Sequence, residues 1–153
     1  MNFLDVQIAT ESHLIPSEEQ LQRWVDAALP ASDQDSEIVI RIIDEQESAE
    51  LNHRYRHKTG PTNILSFPAE LPDEVDLNLL GDLLVCAPVL EQEAKEQQKK
   101  LFDHWAHIII HGVLHLTGHD HISDHEAEIM ENLEIDILKH LNIANPYIEA
   151  IKS

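Results

Sequence analysis

The sequence predicts an α+β fold, a small mixed β-sheet of about four strands packed with about five helices. Two observations carry this. Short β-branched segments interleave with amphipathic helical segments early in the chain, and helical periodicity takes over later. Neither an internal repeat nor a Gly/Pro/Ser-rich linker interrupts the 153 residues, so one domain over 1–153 is expected around one core.

Leu4, Val6 and Ile8 alternate with Asp5 and Gln7, the pattern of a half-buried strand. Ser17 and Gln20 spell a capping box ahead of Leu21, Trp24, Val25, Ala28 and Leu29, which predicts an amphipathic helix over 18–29. EIVIRIID (37–44) reads as a second strand, and Asp44 with Glu47 as a second capping box opening a helix that carries LNHRYR (51–56). TNILSFP (62–68) is a third strand and Leu79–Val85 a fourth, with an acidic loop between them. Pro88 starts a polar helix reaching about Lys99. A helix over 101–117 follows, ending at Gly118 as a left-handed stop, and Ser123 with Glu126 caps a last helix to about Leu141.

Composition narrows the function. The net charge of −19 favours solubility and opposes a broad nucleic-acid or membrane footprint, so any bound polyanion needs a local basic patch. The N-terminal MNFLDVQIAT lacks a basic leader and breaks its apolar run at Asp5, unlike a signal peptide, and the apolar segments are short of a membrane span. The single cysteine, Cys86, excludes an internal disulfide framework and reads as a plain strand residue. A cytoplasmic protein is expected.

The segment HGVLHLTGHDH (111–121) concentrates the chemistry. His111 and His115 are one helical turn apart, a rise of about 6 Å with roughly 40° of rotation, so both rings share a face. Gly118 lets the chain turn back so that His121 can offer a third nitrogen. The spacing H-x-x-x-H-x-x-G-x-x-H is the ligand frame of the metzincin signature, and three protein ligands leave a fourth position open, as catalysis requires. Trp105, Ile108, Ile109, Ile110, Val113, Leu114 and Leu116 surround the helix and predict its burial, and buried imidazoles need partners. His119, in the turn, is expected to face solvent or substrate. His104 and His107 are read as supporting residues, and Asp120 and Asp124 as groups that orient the imidazoles or form turns. In the peptidase motif a glutamate base follows the first histidine; here that residue is Gly112, which disfavours peptidase chemistry.

HGVLHLTGHDH, LNHRYRHKTGPTNILSFP (51–68) and LLGDLLV (79–85), in this order and with the tail NPYI (145–148), resemble the bacterial YbeY family of metal-dependent endoribonucleases. The resemblance implies an α+β fold related to the zincin metalloproteases, with a metal-binding helix. It implies maturation of the 3′ end of 16S rRNA and ribosome quality control as the role. Ribosomal RNA and small-subunit proteins or assembly factors are the implied partners. It places the metal ligands on His111, His115 and His121 and a functionally important arginine on Arg56. The family often has tyrosine at the position of His119, so that residue need not be a ligand.

The residues permit this reading. HRYRHK (53–58) gathers Arg54, Arg56 and Lys58 in an acidic chain, a patch that can hold phosphate. Thr62, Asn63 and Ser66 add polar groups along the third strand. The expected mechanism has one divalent ion, zinc or alternatively nickel, whose bound water attacks an RNA phosphodiester while Arg56 steadies the phosphate. The general base is open among His119, Asp82 and Asp120. A metallopeptidase and a noncatalytic ribosome-assembly factor with a structural metal are the alternatives.

Overall fold

The computed structural model describes residues 1–29, 35–69, 79–119 and 122–147. In chain order it contains β1 (Asn2–Ala9), α1 (Glu18–Ala28), β2 (Ser36–Ile43), α2 (Glu45–Arg56), β3 (Ile64–Pro68), β4 (Leu79–Cys86), α3 (Ala87–Glu96), α4 (Leu101–Leu116) and α5 (Asp124–His140). The four strands form one sheet in the order β1-β2-β4-β3. β1, β2 and β4 run parallel, and β3 runs antiparallel at one edge. This is the mixed α+β sheet with five helices that the sequence predicts.

Position in the sheet explains the strand sequences. β2 lies between two neighbours, and its isoleucines Ile38, Ile40, Ile42 and Ile43 are all buried. β1 is an edge, so its alternation buries Leu4 and Val6 only in part. Ile8 departs from the pattern: it is 60% exposed. Strand register shifts between Glu37 and Ile38, where Leu79 and Gly81 are their partners and Leu80 is the extra residue. Gly81 takes φ +144°, and a Cβ there would press on the backbone oxygen of Phe67 and lie 2.9 Å from Leu116 Cδ2.

Helix ends follow local chemistry with one correction. Ser17 and Gln20 form the full reciprocal box at α1, at 2.9 and 3.2 Å, and Ser123 Oγ accepts from the Glu126 N–H at 3.1 Å. Asp44 sits at the N-cap of α2, yet its carboxylate does not cap the helix. It accepts instead from the Thr10 hydroxyl and the Glu11 N–H, while Glu47 pairs with Arg41 at 2.8 Å. Tertiary partners across the sheet outcompete the local box. At α4 the Gly118 N–H reaches His115 O at 3.1 Å and the His119 N–H reaches Leu114 O at 3.0 Å, with Gly118 at φ +99°, a Schellman ending.

α4 is the hub of the core. Trp105, Ala106, Ile109, Ile110 and Val113 have no exposed surface, and α1, α3, α5, β3 and β4 all pack on this helix. Burying each large side chain contributes about 1.5–3 kcal/mol. α4 packs tightly on the sheet at Gly112, where a Cβ would lie 2.6 Å from Ile64 Cδ1 and 2.9 Å from Leu83 Cδ2.

These contacts set two stability expectations. Gly81→Ala clashes with backbone in a conformation that L-residues rarely adopt, so urea unfolding should show a loss of about 2 kcal/mol or more. Gly112→Val overpacks the helix–sheet seam and should cost about 1–3 kcal/mol. Unchanged midpoints for both variants would show that α4 and β4 are not held as described.

Candidate metal and phosphate site

α4 presents its histidines in two directions. His104 and His107 are buried and face neighbouring helices: His104 Nε2 lies 3.0 Å from Glu93 Oε1, and His107 Nε2 lies 3.0 Å from Glu134 Oε2. His111 and His115 are half-buried and face a cavity of about 750 Å³. Their Nε2 atoms lie 3.1 Å apart. Two ligands of a tetrahedral ion at metal–nitrogen distances of about 2.0–2.1 Å stand roughly 3.3 Å apart, so the pair fits a shared divalent cation. Among the described residues no three His, Cys, Asp or Glu side chains converge to hold a metal ion. His121, the expected third ligand, and Asp120 lie outside the described residues.

The other cavity walls come from α2 and β3. Tyr55, Arg56 and the strand from Asn63 to Pro68 line it, together with Gly118 and His119. Three residue pairs hold α2 against β3 and the segment that leads into it. The Ser48 hydroxyl both donates to Thr62 O and accepts from the Thr62 N–H at 3.0 Å, Asn52 Nδ2 donates to Gly60 O at 2.8 Å, and the Tyr55 ring meets Phe67 edge-on at 5.2 Å. His57 then turns the chain in a left-handed conformation. Arg56 is thereby brought to the same cavity as the histidine pair from a distant part of the sequence.

The remaining predicted residues separate from this group. Arg54 and Lys58 are exposed on α2 and the segment after it and are not among the residues lining the cavity. Of the basic cluster in the sequence, Arg56 lines the cavity. Asp82 is exposed on β4 opposite Phe67 and also stands outside the cavity lining, as does Asp124, in the exposed first turn of α5. His119 does line the cavity. Ser66 and Asn63 line it too, and Asn63 Nδ2 is 3.3 Å from Glu93 Oε1. Gly112, between the two histidines, faces Ile64 and Leu83, so a side chain at this position enters the sheet rather than the cavity.

One residue that sequence reasoning missed is central. Glu134 of α5 has no exposed surface. Its Oε1 accepts from His111 Nδ1 at 2.6 Å, and its Oε2 is shared by His107 Nε2 and the Tyr147 hydroxyl. Burial alone would raise its pKa, but the three hydrogen bonds from His107, His111 and Tyr147 prevail and hold it at about 2. The same carboxylate and burial push the Tyr147 phenol up. A signal was present in the sequence: Met130, Glu134 and Leu138 recur every four residues and are all buried, so a carboxylate occupies the middle of an apolar stripe.

Comparison with known proteins identifies the family. The family model described as Endoribonuclease YbeY matches residues 5–142. A curated Endoribonuclease YbeY of Colwellia psychrerythraea is 54% identical over 150 residues, covering 95% of this chain and 97% of that protein. The solution structure of TM1509 from Thermotoga maritima shares the fold, with a TM-score of 0.52 at 22% identity over 97% of this chain and 99% of the other. Among the described residues no helix is long and apolar enough to cross a membrane. On the family match across most of its length, the chain belongs to the YbeY endoribonuclease family.

Proposed function

We propose that this chain is a single-domain, metal-dependent endoribonuclease that cleaves single-stranded ribosomal RNA in the cytoplasm. Its role in this reading is maturation of the 16S rRNA 3′ end and ribosome quality control. The observation that carries it is the cavity in which the Nε2 atoms of His111 and His115 converge at 3.1 Å beside Arg56. Family membership supplies the reaction class.

His111, His115 and His121 would hold one zinc ion, or nickel, since imidazoles suit both. When bound, the ion supplies Lewis acidity and lowers the pKa of a coordinated water towards about 7. The chain's own groups do the rest. The Arg56 guanidinium offers parallel N–H donors to a phosphate and stabilises the charge that builds on its oxygens. Tyr55, 56% exposed at the rim, presents a ring to an unpaired base, which favours single strands. His119, lining the same cavity, is the group we assign to proton transfer at the departing oxygen. Arg54 and Lys58, outside the cavity, would attract RNA without touching the cleaved bond. With a net charge of −19, the protein depends on the ribosome or on small-subunit and assembly proteins to present its substrate.

The peptidase alternative loses ground because residue 112 faces the sheet, leaving no place for the glutamate base of that chemistry. A noncatalytic role with a structural metal predicts collapse of the fold without the ion.

Three measurements test the proposal. Purified protein stripped with a chelator should lose cleavage of a single-stranded 16S 3′-end RNA, keep its circular dichroism spectrum, and recover activity with zinc or nickel. His111→Ala should likewise fold and be inactive, and unfolding on metal removal would instead favour the structural reading. Arg56→Ala should lower kcat by about 10²–10³-fold, the usual cost of removing one charge-stabilising donor. Cleavage by Arg56→Ala at the wild-type rate would refute the phosphate-holding role.

A further inference from the structure

Glu134 stands behind the cavity rather than in it, and nothing in the reaction outlined above uses it. Its surroundings are nevertheless built with unusual completeness. Both carboxylate oxygens are engaged, by donors from two other parts of the chain: His107 and His111 on α4, and Tyr147 in the tail after α5. The tail is itself secured, with Lys99 Nζ donating to Pro146 O at 2.9 Å and the Tyr147 N–H donating to Asn145 Oδ1 at 2.8 Å. The Tyr147 and His107 rings meet edge-on at 5.4 Å, walling the carboxylate from solvent.

The chemistry of a carboxylate in this position fixes protons. An ionised carboxylate only accepts, so each contact atom facing it must donate. His107 therefore carries its proton on Nε2, and its Nδ1, buried without a hydrogen-bond partner among the described residues, is best left unprotonated. His111 by the same logic carries its proton on Nδ1, the atom 2.6 Å from Glu134 Oε1. That leaves the His111 Nε2 lone pair on the opposite edge of the ring, directed to the cavity, 3.1 Å from His115 Nε2.

We propose that Glu134, held by Tyr147 and His107, is a positioning residue that fixes His111 in the Nδ1–H tautomer and aims its Nε2 at the point shared with His115. The tail residue Tyr147 is thereby a remote determinant of cation affinity. The consequence for metal binding rests on the metal reading given above; the tautomer does not.

The test separates the two. Long-range ¹H–¹⁵N correlation spectra of ¹⁵N-histidine-labelled, metal-free full-length protein at mildly alkaline pH should show His111 with a protonated Nδ1 and a bare Nε2. In Glu134→Gln this signature should give way to a mixture of tautomers. Zinc affinity, measured by competition with a chromophoric chelator, should fall by about 10–100-fold, the usual effect of losing a hydrogen-bond partner of a ligand histidine. Tyr147→Phe keeps the carboxylate and should preserve the His111 signature while weakening zinc binding by less, roughly severalfold; this variant carries the affinity test if Glu134→Gln does not fold. A wild-type His111 protonated on Nε2 overturns the proposal, as do unchanged tautomer and zinc affinity in a folded Glu134→Gln protein. The expected tautomer with no zinc affinity in the wild type would overturn the metal reading and the positioning role together, leaving the Glu134 contact as a structural bond.

Discussion

A helix with apolar side chains on nearly every side is stable only when enclosed, and enclosure obliges each of its imidazoles to find a partner. On α4 the partners are carboxylates from other helices: Glu93 of α3 for His104, and Glu134 of α5 for His107 and His111. An imidazole has nitrogens on opposite edges, so whichever one is tied down decides where the other looks. His104 and His107 are bound through Nε2. His111 is bound through Nδ1, which turns its Nε2 outward to the cavity. The same physical requirement therefore produces two histidines turned to neighbouring helices and one turned to the cavity, and the difference lies in a choice of ring edge.

Close approach of helix and sheet completes the site. Without a side chain at residue 112, α4 settles onto Ile64 of β3 and Leu83 of β4. His111 and His115, on either side of that contact, are then placed beside β3, whose residues form one wall of the cavity. The same strand anchors α2 through Phe67 against Tyr55. β3, an edge strand of five residues, thus brings together groups that the chain separates by more than fifty positions. A glycine at 112 serves this packing and, in doing so, removes the position at which the peptidase motif keeps its base.

Much of this architecture is legible in the sequence because its signals are local and repetitive. The isoleucines of β2, the Ser17–Gln20 box, the apolar periodicity of α1 and the glycine stop at 118 each act within a few residues, and the structure contains them as read. The His111–His115 pair is legible for the same reason: helical spacing alone puts both rings on one face. Legibility fails where the partner is distant. Asp44 turns to Thr10 rather than to its own helix, and nothing near residue 44 announces that. Arg54, Arg56 and Lys58 are one cluster in sequence, yet only Arg56 lines the cavity: Arg54 is two helical positions, about 200°, away and Lys58 follows the left-handed turn at His57. Glu134 was readable only as a charge out of place in an apolar stripe, and its three donors lie 13, 23 and 27 residues away.

The distribution of charge shows how so acidic a protein can meet a polyanion. Among the described residues the cavity lining holds Arg56 and three histidines and no carboxylate. Glu134, which bonds His111 from behind the cavity, is fully buried and shares its charge with three donors. No acidic side chain among the described residues lines the cavity, and charges are screened beyond about 8 Å at physiological ionic strength. In the proposed reading, repulsion of RNA is a property of the whole surface that salt diminishes, whereas attraction is a property of one cavity at contact distance. In that reading the bulk charge discourages random RNA, and a strand brought to the cavity mouth meets a guanidinium and imidazoles, with no carboxylate among the described lining residues.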